Sequence, residues 1–418
     1  MAFINTTTRR TFSGCRPLVA VASLLLACES SNTGGQLVTM GEPSGGMTAS
    51  VVGGTQSGGM GAASGGSVIG SGGIVDAGNV PLDASDSGAL GGSSGGADAS
   101  LAGTGGTPAI DTIITINNGD FWNDTSGNRI EAHGAGLIRV GSTWYWIGED
   151  KSHNSGNFKA VNCYASNDLS HWEFRNAIIT PLTSTDLSAS DRIIERPKVI
   201  YNDTTSKYVM WLHWEGQNYA TAEAGVFTSD TIDGDYAEVR HFRPNGNMSR
   251  DDTLFKDDDG KAYFLSASNE NADLSLYELS DDYTDIKRQV STLWPGSYRE
   301  APAIMKANGR YFLMNSGATG WNSNQQMYAT ATSLEGPWSS LANVGDGTAY
   351  DTQTAFILPV QGTKATTYIY VSDRWQDPDL LASKYIWLPL TISGDNSLVL
   401  DWYATWKLNV TTGEVVTN

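Results

Sequence analysis

Residues 300–313 read Glu-Ala-Pro-Ala-Ile-Met-Lys-Ala-Asn-Gly-Arg-Tyr-Phe-Leu, a polar residue followed by an apolar strand, a turn and an aromatic-rich strand. The same phrase occurs four more times. The leading residues of the five copies lie 62, 56, 49 and 53 positions apart and are His133, Glu195, Asp251, Glu300 and Gln353. A repeat of about 40–50 residues with several strands per unit is typical of a β-propeller. The sequence therefore predicts an all-β, five-bladed β-propeller.

The five leading residues also indicate where chemistry takes place. The first strand of each propeller blade lines the central axis, so these residues are expected to converge. Hydrolysis of a glycosidic bond needs a protonated acid beside the leaving oxygen and a group on the opposite face. A narrow axis supplies the burial and the neighbouring carboxylates that raise the pKa of such an acid. Neighbours on a strand point to opposite faces, so Arg196, Arg250 and Arg299 are expected to face away from the acids beside them.

The N-terminal part of the chain differs in composition from the rest. Residues 1–28 read as an export signal, with a short apolar stretch that ends in a Leu-Leu-Ala-Cys sequence resembling a bacterial lipobox. This predicts lipidation of Cys28; an ordinary signal peptide with a chance cysteine is the alternative. Arg9 and Arg10 also resemble part of a twin-arginine signal. Residues 29–107 contain no Lys, Arg or aromatic residue and are rich in Gly and Ser, which predicts a disordered tether.

These features predict an exported lipoprotein at the cell envelope or cell surface, touching the membrane only through its lipid. Residues 108–418 hold all 13 tryptophans and form the predicted propeller. The net charge of −19 disfavours nucleic acid as a partner. No two of the five histidines are spaced as a zinc motif, so neither metal nor cofactor is expected. Cys163 reads as a buried small side chain, and we expect the domain to be a monomer.

Two segments resemble glycoside hydrolase family 43, whose members are five-bladed propellers. The segment from Asp251 to Tyr263 resembles the one that bears the Asp tuning the pKa of the acid, and the segment around Glu300 resembles the one that bears the general acid. The resemblance implies these roles here. The first-blade Asp that serves most of the family as general base is absent, because the corresponding strand reads Ala-His-Gly-Ala-Gly over residues 132–136.

That departure, with segments such as Glu-Arg-Pro-Lys-Val-Ile at 195–200 and Ser-Asp-Arg-Trp at 372–375, resembles the exo-β-1,3-galactanase branch of the family. The resemblance implies inversion of configuration, with Gln353 at the position that holds the hydrolytic water and Glu195 in contact with the terminal galactose. The proton acceptor stays open between the water held by Gln353, Glu195 and Glu149. The residues it implies for substrate binding are Glu149, Glu195, Tyr219, Asn271, Thr319, Trp321 and Arg374. Packing or turn formation is the alternative for several of them, including Tyr219, Asn271 and Trp321.

The expected substrate is the β-1,3-galactan backbone of arabinogalactan, cut from its end to release galactose. Two alternatives stay open. One is another activity of the same family, an arabinofuranosidase or β-xylosidase. The other is a propeller that binds glycans without cutting them, which the missing conventional base favours and the tuned acid disfavours.

Overall fold

The computed structural model describes residues 112–216, 218–394 and 396–417. The predicted signal, the predicted lipidation site Cys28 and the predicted tether lie outside these residues, so those predictions stand as they were. Within the described ranges the chain is built from strands and three short 3₁₀ turns, Asp186–Ser188, Pro244–Gly246 and Leu380–Ala382. No helix in these ranges is long and apolar enough to cross a membrane.

The strands form five antiparallel sheets of four consecutive strands each, here called sheets I to V. Sheet I contains β2 (His133–Val140), β3 (Thr143–Glu149), β4 (Val161–Ser166) and β5 (Glu173–Ile179). Sheet II contains β6 (Arg192–Asn202), β7 (Lys207–Gly216), β8 (Glu223–Ser229) and β9 (Ala237–Phe242). Sheet III contains β10 (Asp252–Lys256), β11 (Ala262–Ser268), β12 (Asp273–Leu279) and β13 (Ile286–Leu293).

The remaining strands complete the fold. Sheet IV contains β14 (Arg299–Ala307), β15 (Arg310–Gly317), β16 (Gln326–Ala331) and β17 (Ala342–Val344). Sheet V contains β18 (Gln353–Gln361), β19 (Thr366–Arg374), β20 (Lys384–Ile392) and β21 (Leu398–Leu400). A three-stranded sheet joins the ends of the described chain through β1 (Ile113–Asn117), β22 (Thr405–Asn409) and β23 (Val415–Thr417).

The sequence pattern that occurs five times corresponds to the first hairpin of each of sheets I to V. In sheet IV the register ends at the pair Ala307 and Arg310, leaving Asn308 and Gly309 as a two-residue loop. Both loop residues have positive φ, 51° and 71°, which is the conformation that a type I′ turn requires and that Asn-Gly adopts readily. The turn therefore sets the register that points the apolar residues of β14 and β15 into the core.

The sheets pack face to face in cyclic order. Separate apolar clusters fill the spaces between sheets I and II, II and III, III and IV, IV and V, and V and I. The first strands follow the same cycle, because β2, β6, β10, β14 and β18 each contact the next and β18 contacts β2. Cys163 is fully buried in the cluster between sheets I and II, as predicted. The result is an all-β, propeller-like domain whose first strands surround a common centre.

The terminal sheet is anchored at the junction of sheets V and I. Trp406 of β22 is fully buried and donates its indole N–H to the Trp387 carbonyl of sheet V at 2.8 Å. Trp146 of sheet I packs against Trp387 with ring centroids 5.0 Å apart. Pairing of β1 with β22 thus brings both ends of the described chain onto the same junction.

Candidate active site

A pocket of about 370 Å³ opens where the first strands of the sheets begin. It brings together all four residues predicted to act in catalysis and, besides Glu195, which was predicted for both roles, four of those predicted to bind substrate. The predicted residues that line it are Glu149, Glu195, Tyr219, Asp251, Asn271, Glu300, Trp321 and Gln353. Their placement agrees with the expected convergence, and their individual roles remain predictions.

His133 is the leading residue that does not reach the pocket. Its side chain is fully buried, with Nδ1 2.9 Å from Oδ1 of Asp373 and its ring stacked on Tyr385. A bulge between His133 and Gly136 changes the pairing of β2 with β3 just after this position. Gly134 has φ +58°, and a Cβ there would stand 2.2 Å from Oε1 of Glu149. Sheet I therefore contributes Glu149, from the end of β3, in place of its leading residue.

The expectation that Arg196 would face away from the pocket is wrong. Arg196 has φ +54°, and the register of β6 with β7 shifts between Glu195 and Lys198. Such a bulge breaks the strict alternation of a strand, so Glu195 and Arg196 both line the pocket. Arg250, which lies just before β10, also lines it. The side chain of Arg299 instead hydrogen-bonds Asn315.

Arg196 is buried and connects three sheets. Its Nε lies 2.9 Å from Oδ2 of Asp251, and one Nη2–H donates to Oε1 of Gln353 at 2.7 Å. Its other terminal nitrogen donates to the Thr354 carbonyl at 2.9 Å, and its backbone N–H donates to Oε1 of Glu149 at 2.9 Å. A guanidinium presents several donors in a fixed plane, so this residue fixes the positions of a carboxylate and an amide on either side.

Glu300 is buried at the pocket wall, where it accepts two side-chain hydrogen bonds. Nε2 of Gln353 donates to Oε1 at 3.0 Å, and Nδ2 of Asn271 donates to Oε2 at 3.2 Å. Burial and, after it, the negative charge of Asp251 raise the pKa of Glu300 to about 8, although the Arg196 charge acts in the opposite direction. Glu300 therefore keeps its proton at neutral pH, which is the state that a general acid requires.

Glu195 has the opposite electrostatic character. Tyr219 donates its hydroxyl to Oε1 at 2.9 Å, and Nδ1 of His213 lies 3.2 Å from Oε2. Burial acts to raise the pKa of Glu195, but the contact with His213 and the charge of Lys151 together lower it to about 2. Glu195 is thus ionised at any working pH. A carboxylate this acidic is a weak proton acceptor and a good acceptor of hydrogen bonds from hydroxyl groups.

A buried cation beneath Glu195 accounts for much of this effect. His213 of β7 is the cross-strand partner of Glu195 and lies between two carboxylates, with Nε2 3.3 Å from Oε1 of Glu215. Burial acts to lower the pKa of His213, but hydrogen bonding to Glu195 and Glu215 raises it to about 10. Lys151 is also buried and lies 2.6 Å from Oε2 of Glu149. Sequence reasoning missed both cations, and only the β6–β7 register could have indicated His213.

Gln353 lies beside Glu300, and both polar atoms of its side-chain amide are hydrogen-bonded. Its Oε1 accepts from Arg196 and from the Trp375 indole N–H at 3.1 Å. Its Nε2 donates to Glu300 and to Oγ of Ser316 at 3.1 Å. The amide orientation is therefore fixed by donors and acceptors together, with the NH₂ group toward the acid.

Two predicted binding residues are not brought to the pocket lining. Thr319 is exposed, and its hydroxyl donates to the Asn322 carbonyl at 2.6 Å within its own loop. Arg374 donates to the Tyr350 carbonyl at 2.6 Å and lies over the ring of Trp402. For both residues a binding role remains a prediction that the pocket lining does not support. Trp321 and Trp375 do line the pocket and pack edge to face, with ring centroids 4.9 Å apart.

The sequence model of glycosyl hydrolases family 43 matches residues 132–350, which include four of the five first strands. The chain belongs to this family. As a family-43 member it is a glycoside hydrolase, and a neutral Glu300 in one pocket with the ionised Glu195 is an arrangement that suits such chemistry.

Solved structures similar to this family-43 chain include two exo-β-1,3-galactanases. It is 43% identical to an exo-β-1,3-galactanase from Clostridium thermocellum, over 73% of this chain and 68% of that one, with a TM-score of 0.70. It is 41% identical to an exo-β-1,3-galactanase from Phanerochaete chrysosporium solved with galactose, over 73% of this chain and 71% of that one, also with a TM-score of 0.70.

Curated relatives are more distant. The family-43 chain is 26% identical to a β-D-galactofuranosidase from Aspergillus niger, over 48% of this chain. It spans 62% of the length of that relative, and it spans less than two thirds of each curated relative it matches.

Proposed function

We propose that this chain is an inverting, exo-acting glycoside hydrolase that releases galactose from the β-1,3-galactan backbone of arabinogalactan. The observation that carries the proposal is Glu300, a carboxylic acid kept neutral by burial and by Asp251 in a pocket with the ionised Glu195. The likeness to two exo-β-1,3-galactanases supports the choice of substrate.

In this proposal Glu300 donates its proton to the glycosidic oxygen as the bond to the anomeric carbon breaks. The departing galactan leaves as an alcohol, and positive charge develops on the galactose ring. Asp251 acts through Glu300, because its charge keeps the acid protonated until the substrate oxygen accepts the proton. The ion pair with Arg196 holds Asp251 in place for this task.

Glu195 and Glu149 are proposed to hold the terminal galactose. Glu195 is buried, ionised and already aligned by Tyr219 and His213, so its orientation is fixed before the sugar arrives. Preorganised acceptors of this kind bind sugar hydroxyls without a large cost in side-chain entropy. The low pKa of Glu195 favours a role in binding the galactose hydroxyl groups over a role as proton acceptor.

Gln353 is proposed to position the water that attacks the anomeric carbon. Its hydrogen bond to Glu300 places the two side chains next to each other, whereas inversion needs the acid and the water-holding group about 6.5–9.5 Å apart on opposite faces of the sugar. We propose that the galactose ring enters between them, which breaks this bond and moves the Glu300 carboxyl several ångströms away from Gln353. The Gln353 NH₂ group then faces the water, while Arg196 and Trp375 continue to hold its carbonyl oxygen. As the glycosidic bond breaks, the water oxygen bonds to the anomeric carbon, and the proton that the water loses passes to solvent, from which Glu300 regains its own proton.

The experiment that tests the function is incubation with β-1,3-galactan, arabinan and xylan, followed by sugar analysis. Galactose from β-1,3-galactan alone, absent when Glu300→Gln replaces the wild type, supports the proposal. Arabinose or xylose as the main product would assign another family activity. Retained galactan binding with no product from the wild type would make the chain a glycan-binding protein.

Two features outside the site belong to the proposal as well. We propose that sheets I to V are the blades of a closed five-bladed propeller, a view supported by the cyclic packing of the sheets. We also propose that the chain is exported and anchored to a membrane through lipid on Cys28, as the sequence of residues 25–28 supports.

A further inference from the structure

A second cluster of ionisable side chains lies on sheet II and on the connection that leads into it. Asp186 belongs to the 3₁₀ turn between β5 and β6, and Glu238 and His241 belong to β9. Nε2 of His241 lies 3.4 Å from Oδ2 of Asp186 and 3.9 Å from Oε1 of Glu238. None of these three residues lines the pocket that contains Glu300.

The backbone of β9 is shaped so that two of these side chains meet. Residues three apart on a regular strand point to opposite faces. Here the register with β8 shifts, because Val226 pairs with Arg240 and Phe227 pairs with Glu238, leaving Val239 without a partner. This bulge brings Glu238 and His241 to the same side of the strand.

His241 is held in one orientation by contacts on its other atoms. Nδ1 lies 2.5 Å from Oε2 of Glu223, and the ring stacks on Trp214 with centroids 4.3 Å apart and planes inclined by 6°. A carboxylate on Nδ1 fixes the proton there and leaves the lone pair of Nε2 directed at Asp186 and Glu238. A carboxylate that holds one histidine nitrogen while the other faces further ligands is the usual second-shell pattern of a metal site.

The charges of the cluster are not balanced by the protein groups around it. Three carboxylates, on Asp186, Glu223 and Glu238, share one imidazole, and in the described part of the chain no Lys or Arg nitrogen lies within 4 Å of any of them. Oε2 of Glu238 is buried and has no hydrogen-bond partner among the described atoms. Arg192 is near but donates to the backbone carbonyls of Asp186 and Glu215. Leaving a buried carboxylate oxygen unpartnered is unfavourable.

We propose that Asp186, Glu238 and His241 bind a divalent transition-metal ion, with Zn²⁺ as the best match. One imidazole nitrogen and two carboxylate oxygens, completed by water, are a donor set that Zn²⁺ accepts. Tetrahedral Zn²⁺ at about 2.0–2.2 Å from each ligand sets neighbouring ligand atoms about 3.3–3.5 Å apart. The His241–Asp186 distance of 3.4 Å already matches, and the His241–Glu238 distance of 3.9 Å needs to close by about half an ångström.

The bound ion joins the β5–β6 connection to the outer strand of sheet II. That connection leads directly into β6, the strand that carries Glu195 and Arg196. Metal binding therefore stabilises the chain segment that enters the active site, while the ion itself takes no part in the hydrolysis. The three ligands come from segments 52 and 3 residues apart, positions 186, 238 and 241, which is why no zinc motif marks them in the sequence.

Calorimetric titration of the full chain with zinc alone, after treatment with a chelator and without an added histidine tag, tests the proposal. We expect His241→Ala and Asp186→Asn each to bind one equivalent of zinc fewer than the wild type. Glu223→Gln should lower the zinc affinity of this site about 10–100-fold, the usual effect of losing a carboxylate that orients a metal-binding histidine. His171→Ala is the matched control, because His171 is exposed and contacts the single carboxylate of Asp168.

Thermal unfolding without metal establishes that each variant is folded, and zinc should raise the melting temperature of the wild type and of His171→Ala alone. Anomalous diffraction at the zinc edge then locates the ion. Equal zinc stoichiometry in the wild type and in His241→Ala, or an ion found elsewhere, would overturn the proposal. The cluster would then be a set of contacts among protein side chains that binds no metal.

Discussion

Replacement of Asp251 by Asn removes one negative charge beside Glu300 while keeping the shape of the side chain. The charge of Asp251 raises the pKa of Glu300, so its loss must lower that pKa. The change also frees the Arg196 guanidinium from its 2.9 Å ion pair, and an unpaired positive charge favours the ionised form of Glu300 further. Both effects have the same sign.

The magnitude follows from the position of the charges. A neighbouring charge at contact range shifts a carboxyl pKa by about 1–3 units. The pKa of Glu300 would therefore fall from about 8 to about 5–7. For a fall of two units, the protonated fraction of Glu300 at pH 7 drops from about nine-tenths to about one-tenth. Activity should thus be lost at alkaline pH first, and the alkaline limb of the pH profile should move to lower pH.

The assay is kcat/KM for a β-1,3-galactan oligosaccharide between pH 4 and pH 10. This parameter reports ionisations of the free enzyme. Asp258→Asn is the matched control, because it removes the same charge from an exposed turn of sheet III where the partner is Lys306. An alkaline limb that stays in place in Asp251→Asn, or moves to higher pH, would refute the assignment of Asp251 as the group that keeps Glu300 protonated.

Further predictions concern three pocket residues, Glu300, Glu195 and Gln353, and the proposed lipidation site Cys28. Glu300→Gln should lower turnover of galactan at least ~10²-fold with little change in melting temperature, measured by release of reducing sugar and by thermal unfolding. Glu195→Gln should weaken galactose-oligomer binding as well as rate, which a calorimetric titration checks; unchanged binding would remove it from the sugar contacts. Gln353→Ala should nearly abolish hydrolysis and leave binding largely intact, whereas Gln361→Ala at the far end of the same strand should change neither. Cys28→Ser should release the protein from membranes or block its processing, and an unchanged membrane fraction would contradict lipidation.

The parts of the fold that sequence could predict are those encoded locally. Each repeated phrase contains a whole hairpin, so a polar leading residue, an apolar strand and a turn could be recognised in one short window. Equivalent positions of repeats occupy equivalent places in space, which is why Glu195, Asp251, Glu300 and Gln353 were found to line one pocket. The terminal sheet was not predicted, because β1 and β22 are distant in sequence.

The parts of the site that escaped prediction depend on departures from regular geometry. Arg196 enters the pocket because a non-glycine residue adopts φ +54° at a bulge, and no residue type marks such a position. His213 reaches Glu195 through cross-strand register, which the repeat alone does not specify. Thr319 and Arg374 were taken from whole motifs, and the local hydrogen bonds that hold their side chains away from the pocket have no sequence signal.

Proton NMR of the wild-type protein acting on β-1,3-galactotriose shows directly whether galactose is released and with which anomeric configuration. The signals of α- and β-galactose are followed from the first turnover, before the two forms equilibrate in solution. We expect α-galactose to appear first, together with the disaccharide, because water attacks the face opposite the leaving group at the terminal residue. Initial appearance of β-galactose would require a covalent intermediate and contradict the roles given to Glu300 and Gln353, and a trisaccharide left intact would contradict the proposed substrate.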